Sequence, residues 1–306
     1  MVVYPGEGEE GVYRALESAR GADVVIKASG VGVFDELLER EVLGLQRPGT
    51  LVLYCDVDAP ATLDRVHANP ADPFLRLIPR YDFIFTYGGG DPVVRAYEAL
   101  GARRCVPIYN ALDPETHHPA PPDPNFDASL GLLANRLPDR EARVREFFFK
   151  PAAALKERKF LLGGNGWDDA AANDNVRYLG HVYSADHNAF NSTPLAVLNI
   201  CRDSMARRGF SPPTRLFEAA GAGACLITDA WVGIEAFLEP DRECLVAHNG
   251  EEVAAHLEEL DYERARAIGK AALARIAQQD LRVAVVTPAV HAVQIDACAI
   301  ACAQFE

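Results

Sequence analysis

The sequence predicts an α/β protein made of two doubly wound parallel-sheet domains in a chain of 306 residues. Strand signals alternate with helix signals from residue 11 to residue 260, the rhythm of parallel strands joined by crossover helices. Most apolar strand runs end in glycine or polar residues, as in YDFIFTYGGGD and FLLGGNGWD. A proline-rich stretch, DPETHHPAPPDPNFD (113–127), divides the two halves and reads as a stiff, extended interdomain linker. His117 and His118 within it read as solvated linker residues.

In the first half the pattern predicts a helix over 11–20, a buried strand over 22–28, a helix over 34–45 and a strand over 50–54. A strand at YDFIFTY, a helix over 93–100 and a strand-like RRCVPIYN follow. Folds of this kind hold ligands at the carboxyl ends of their strands, which puts Asp56, Asp58, Gly88 to Gly90 and Asn110 on the functional edge. The GGG run lacks the spacing of either common glycine fingerprint and reads as a tight turn, with a ligand contact as the alternative.

The second half opens with a strand over 129–134 and a helix in NRLPDREARVREFFF, with Arg136 and Arg140 near its start, where a guanidinium can meet a phosphate. Strands over 159–162, 176–179 and 195–200 precede SPPTRLFEAAGAGACLITD (211–229). There Ser211 reads as an N-cap and Pro212 as the first helical residue. At about 100° per residue, Pro213, Leu216, Phe217 and Ala220 share one arc, and Thr214, Arg215 and Glu218 share the opposite one. Gly221 and Gly223 end the helix before a strand over 224–228. A helical turn over 233–238, a strand over 243–247 and a helix over 251–260 bring this half to about six strands.

Composition narrows the function. Hydrophobic residues are 49% and charged residues 24%, as in soluble globular proteins, which excludes disorder and membrane spans in the body of the chain. A net charge of −14 excludes a general nucleic-acid binder, while a small phosphorylated ligand still fits. The first twenty residues lack a basic segment followed by an apolar one, so no secretory signal and a cytoplasmic location are expected. The seven cysteines are odd in number and scattered, as reduced thiols would be. No Cys/His cluster has zinc spacing, so no structural metal is expected.

The segment from SPPTRLFEAAGAGACLITD through AWVGIEAFLEPDRECLVAHNGEEVAAHLEEL resembles the C-terminal half of group 1 glycosyltransferases, and more narrowly the CgeB-like (spore maturation) branch. The resemblance extends through NRLPDREARVREFF, FLLGGNGWD, NVRYLGHVY and NICRDSM, and more loosely through LVLYCDVDAPATL and YDFIFTYGGG, over most of residues 20–275. It implies a GT-B fold, with two Rossmann-like domains facing a cleft and a nucleotide-diphosphate sugar held by the C-terminal one. It also implies transfer to an acceptor, here unidentified, without a metal cofactor. On this basis residues 1–112 form the acceptor-side domain, 113–127 the linker, 128–280 the donor domain and 281–306 an atypical tail. The N-terminal domain is expected to be truncated, because such domains usually carry further elements ahead of those seen here. The tail does not resemble the family's closing helix, and Pro288, His291 and Asp296 argue against a membrane span in it.

The resemblance assigns roles. Glu218 matches the acidic residue that accepts hydrogen bonds from ribose hydroxyls, and Thr214 and Arg215 would meet the diphosphate at the start of the same helix. Arg136 matches the basic residue that stabilises the leaving diphosphate; its alternative is a salt bridge with Asp139 or Glu141. Many relatives carry a second glutamate where Phe210 stands here, and Asp203 is the residue that could compensate, or else a plain loop aspartate. Asp58 and Asp56 are the candidate catalytic bases for the acceptor hydroxyl, with capping of the following helix as the alternative. His181 is placed at the sugar or nucleobase, His187 as a packing or capping residue, and Trp167 either on a base or as a buried anchor. Two other readings stay open: a catalytically incomplete nucleotide-sugar binding protein, and a nucleotide-sugar epimerase. An NAD(P) oxidoreductase is disfavoured, because no G-x-G-x-x-G opens a strand–helix unit.

Overall fold

The computed structural model describes residues 6–30, 33–169 and 173–278. Most of the opening MVVYPG run and the tail over 281–306 lie outside the described residues. The chain divides into two compact units. The first comprises Met1–Tyr109 with Cys201–Pro212 and Ala230–Ala236; the second comprises Asn110–Ile200, Pro213–Asp229 and the chain from Phe237 onward.

In the first unit the chain runs α1 (Glu10–Ser18), β1 (Val24–Ala28), α2 (Asp35–Glu41), β2 (Leu51–Asp56), α3 (Ala59–Ala68), β3 (Phe83–Tyr87), α4 (Gly90–Ala99) and β4 (Cys105–Ile108). The four strands pair in parallel in the order β1-β2-β3-β4. Tyr54 anchors the core, with its ring 4.6 Å from Phe74 and 5.3 Å from Tyr81. Both tyrosine hydroxyls find acceptors on Glu39: Tyr54 donates to its carboxylate at 3.0 Å and Tyr81 to its backbone carbonyl at 2.6 Å. Burial holds the Glu39 carboxyl above its ordinary value, the Tyr54 hydrogen bond opposing.

Gly88, Gly89 and Gly90 all have positive φ, at 67°, 83° and 50°, and form the tight turn that starts α4. The Gly89 N–H donates to the Phe210 carbonyl at 2.6 Å, so the turn faces protein. A Cβ on Gly89 would lie 2.2 Å from a Val93 methyl. Gly89→Ala is therefore expected to lower stability by about 2 kcal/mol, measured as a shift of the urea midpoint with an unchanged slope; an unshifted midpoint would show that the turn relaxes.

Residues 201–212, expected in the second domain, pack in the first unit. Arg202 pairs with Asp58, Arg208 pairs with Asp64, and the Tyr87 hydroxyl donates to the Pro212 carbonyl at 2.5 Å.

In the second unit β5 (Leu130–Leu133) leads to α5 (Pro138–Val144), which continues through a π-helical turn (Arg145–Phe149) into α6 (Lys150–Ala154). Then come β6 (Phe160–Gly163), β7 (Val176–Gly180), α7 (His187–Ser192) and β8 (Ala196–Asn199). After α8 (Asp203–Arg208), which belongs to the first unit, follow α9 (Thr214–Gly221), β9 (Leu226–Asp229), β10 (Leu245–Ala247), α10 (Gly250–Glu259) and α11 (Tyr262–Ala277). The strand order is β10-β9-β8-β5-β6-β7, all parallel. LGLL, FLLG and AVLN are buried at every residue, which is why these strands read as continuous apolar runs with no alternation. The strand order reverses direction between β5 and β8, and that switch point is where doubly wound sheets open a ligand crevice at their carboxyl edge.

Residues 113–127, read from the sequence as a stiff interdomain linker, form a strap bonded to the second unit. The Ala120 N–H donates to Ser192 Oγ at 3.1 Å, Asp123 N–H to Thr193 Oγ1 at 3.0 Å, and Asn188 Nδ2 to the Thr116 carbonyl at 2.9 Å. The approach needs a glycine in α9, because a Cβ on Gly221 would lie 2.3 Å from Leu112 Cδ1 and 3.2 Å from the His117 carbonyl oxygen. His118 is exposed as expected, but His117 is half-buried, and its Nδ1 is buried without a hydrogen-bond partner.

Candidate functional site

The helix α9 begins at Thr214, two residues later than the cap signals suggested. Ser211 does not cap it: the hydroxyl is buried and donates to the Gly209 carbonyl at 3.0 Å. Pro213 is the cap instead and supplies no side-chain hydrogen bond. The two faces follow the periodicity. Leu216, Phe217 and Ala220 are buried, while Thr214, Arg215 and Glu218 stay partly open. At the far end the Ala222 and Gly223 N–H groups bond the Glu218 and Ala220 carbonyls, and Gly223 takes a φ of 73° before β9.

Arg215 and Glu218 form an ion pair at 3.4 Å, with 18% and 16% of their side chains exposed. Arg215 Nη1 and Glu218 Oε2 make no hydrogen bond. Both partners carry more bonding capacity than the pair uses. The imidazole of His187, at the start of the adjacent α7, contacts the Val182 carbonyl at 3.2 Å. Burial, and then the Arg215 guanidinium, push that imidazole below its ordinary value. His187 thus packs as expected, on a helix that adjoins α9.

Arg136 follows β5 at the switch point. Two of its nitrogens grip Glu141 at 2.8 and 2.9 Å, a third group donates to Asp169 at 2.5 Å, and the guanidinium lies 5.6 Å over the Trp167 ring. The salt-bridge alternative is therefore realised with Glu141. The hydrogen bond to Arg136, then that to Arg145, holds the Glu141 carboxyl down at about 2. Trp167 is 0% exposed and its indole N–H donates to the Ala134 carbonyl at 2.8 Å, so it anchors the loop after β6 and presents no face to a base. His181 is exposed, edge-on to Tyr183 at 4.6 Å. One further pair escaped the sequence reading: Asp229, fully buried at the end of β9, bonds Arg143 of α5 at 2.5 Å. Its only signal is a carboxylate closing an apolar strand.

The two carboxylates after β2 part company. Asp56 is 0% exposed and accepts from Ser29 Oγ at 2.9 Å, Thr62 Oγ1 at 3.0 Å, the Asp58 N–H at 3.2 Å and the Tyr97 hydroxyl. A carboxylate enclosed by four donors cannot reach an acceptor hydroxyl, so Asp56 is a structural node and not a base. Asp58 sits at the cap position of α3 without capping it, half-buried and paired with Arg202. Asp203, the first residue of α8, pairs with Arg207 at 3.0 Å in the first unit.

Residues 140–283 match the glycosyl transferase-like family. Thr214, Arg215, Glu218 and His181 lie inside the matched region. No curated protein matches the sequence. Among solved structures, HepE from Anabaena, crystallised with UDP and glucose, is similar with a TM-score of 0.61 and 14% identity, over 91% of this chain and 81% of that one. Sucrose-phosphate synthase from Thermosynechococcus elongatus is similar with a TM-score of 0.59 and 13% identity, over 90% and 75%. The pneumococcal O-GlcNAc transferase GtfA, solved with UDP and GlcNAc, gives 0.57 and 14%, over 87% and 56%. The fold, α/β with parallel sheets, is that of GT-B glycosyltransferases. Among the described residues no helix is long and apolar enough to cross a membrane, and no three His, Cys, Asp or Glu side chains group as metal ligands.

Proposed function

We propose that the protein transfers a sugar from a nucleotide diphosphate to an acceptor hydroxyl, in the manner of the CgeB-like branch, with α9 as the donor helix. The observation that carries this reading is the Arg215–Glu218 pair on the one polar face of α9, inside the matched region and with spare bonding capacity on both partners. Glu218 accepts from the ribose hydroxyls. Thr214 and Arg215 face the diphosphate in the first turn, where the N–H groups and positive end of a helix favour an anion. Arg136 supports the diphosphate as it leaves, and His181 borders the sugar. Charge on the departing phosphate is met by guanidinium and helix, so the transfer proceeds without a metal. In the reaction the acceptor oxygen attacks the anomeric carbon, the bond from that carbon to the phosphate oxygen breaks, and the nucleoside diphosphate leaves with the electron pair. Asp58 is the carboxylate assigned to the acceptor proton.

Thermal unfolding with UDP, GDP, dTDP and ADP tests the donor site directly. One of them at a hundred times its Kd is expected to stabilise the protein by about 2.7 kcal/mol, and the corresponding labelled nucleotide sugar should lose its sugar to an acceptor or to water. If no nucleotide raises the melting temperature, the donor assignment fails. Saturable binding without turnover marks a binding-only relative, and interconversion of free nucleotide sugars marks an epimerase.

A further inference from the structure

A cavity of about 450 Å³ lies at the amino edge of the second unit's sheet. Its lining includes Pro194 and Leu195, just ahead of β8, and Ala224 and Cys225, just ahead of β9. The strands are parallel, so this is the edge opposite the one where Arg136 follows β5 and where α9 begins. The strap closes one side with Pro119 and Pro122, and α11 closes the other. The helix comes close enough that a Cβ on Gly269 would lie 2.1 Å from the Gly223 carbonyl oxygen. The volume falls in the range of small-molecule sites.

Several polar groups of the walls are already bonded. Ser192 Oγ donates to the Ala222 carbonyl at 2.9 Å and accepts from the Ala120 N–H. The Gly223 and Ala224 N–H groups donate to the Ala220 and Ala219 carbonyls at 3.0 Å, and Leu195 N–H to the Ala128 carbonyl at 2.9 Å. Cys225 is buried, and burial pushes its thiol up to about 12, which leaves no thiolate at neutral pH. What remains is one charged edge. Arg266 and Lys270 line the cavity one turn apart on α11, both exposed, and neither forms an ion pair among the described residues. Arg266 stacks 5.7 Å over the ring of Tyr262, which is itself 61% exposed at the rim.

Two cations at i and i+4 stand close enough to share one anionic group. The prolines and aliphatic side chains opposite them offer rigid apolar contact. A chain of net charge −14 repels extended polyanions, so a local pair of cations selects a small ligand. We propose that this cavity is a second ligand site, for a small amphipathic anion with a ring-sized apolar body and one phosphate or carboxylate. It is separate from the proposed donor site and does not depend on it.

Calorimetric titration of the full chain tests this with 1-naphthyl phosphate and 1-naphthoate, using 1-naphthol and inorganic phosphate as controls. At least one naphthyl anion should bind saturably at one site and more tightly than either control; the preferred anion shows whether phosphate or carboxylate is the natural group. Binding should weaken about tenfold or more in Arg266→Gln/Lys270→Gln, which removes two charge-assisted contacts. It should vanish in Ala267→Trp, which fills the cavity from an exposed position on α11. Both variants alter exposed residues, so their unfolding should match the parent's. Saturating UDP should leave the affinity unchanged. The site is refuted if neither anion binds saturably, if both variants bind as the parent does, or if UDP displaces the probe, which would place it at the donor helix.

Discussion

Glu218→Ala is expected to lower turnover by about a hundredfold or more, to abolish stabilisation by the cognate nucleotide, and to cost about 3 kcal/mol of stability. Two effects combine in one side chain. As the ribose acceptor, the carboxylate makes charge-assisted hydrogen bonds worth about 1.5–3 kcal/mol each. As the partner of Arg215 at 3.4 Å, in a pair mostly withdrawn from water, it compensates a guanidinium that its loss would strand. A second variant separates these effects. Arg215→Met/Glu218→Met replaces the pair by apolar side chains of similar length, and such replacements are often neutral or stabilising. Its unfolding free energy should return toward the parent's, while the nucleotide shift stays absent. If the double variant still responds to the nucleotide, the pair only holds the helix and α9 is not the donor helix.

The polar face of α9 was legible because it rests on a local rule: Thr214, Arg215 and Glu218 share an arc whatever else the chain does. The same holds for β5, β6 and β8 of the second unit, which are buried at every residue. The start of α9 was misplaced because Ser211 and Pro212 satisfy the cap rules locally, while the fold uses the Ser211 hydroxyl against Gly209. Where residues 201–212 belong was not legible at all. Arg202 meets Asp58, and Arg208 meets Asp64, across 144 residues of chain, and no local pattern encodes such a pairing. His117 was missed for a related reason. Proline-rich composition predicts an extended segment but not the surface it lies on, and here the strap is set by Gly221 and by hydroxyls of Ser192 and Thr193. The helix α11 was overlooked, although its signal is local: the Asp261 side chain accepts from the Arg264 N–H at 2.7 Å, and Ala265, Ile268, Ala272 and Ile276 make a buried stripe.

Asp56→Ala is expected to cost about 4 kcal/mol, and the pH dependence of a second variant shows why. Position alone put Asp56 on the functional edge, but β2 is covered on both faces, and its final residue turns inward to bond Ser29, Thr62, Tyr97 and the Asp58 N–H. Alanine leaves those donors without an acceptor. Asp56→Asn keeps one acceptor oxygen and should cost less. Burial raises the Asp56 carboxyl above its ordinary 3.8, with the hydrogen bonds from Tyr97 and then Ser29 opposing. A raised value in the fold means that the native state binds the proton more tightly than the unfolded chain. Relative to Asp56→Asn, which cannot titrate, the parent is then most stable below 3.8 and loses ground as pH rises through the interval up to its native value. Above that interval the difference levels off. Urea unfolding of both proteins between about pH 4 and pH 8 measures it. If the parent instead gains on the asparagine variant as pH rises, the four donors outweigh burial and hold Asp56 ionised. Its role would then be that of a fixed negative charge beside the Asp58 loop.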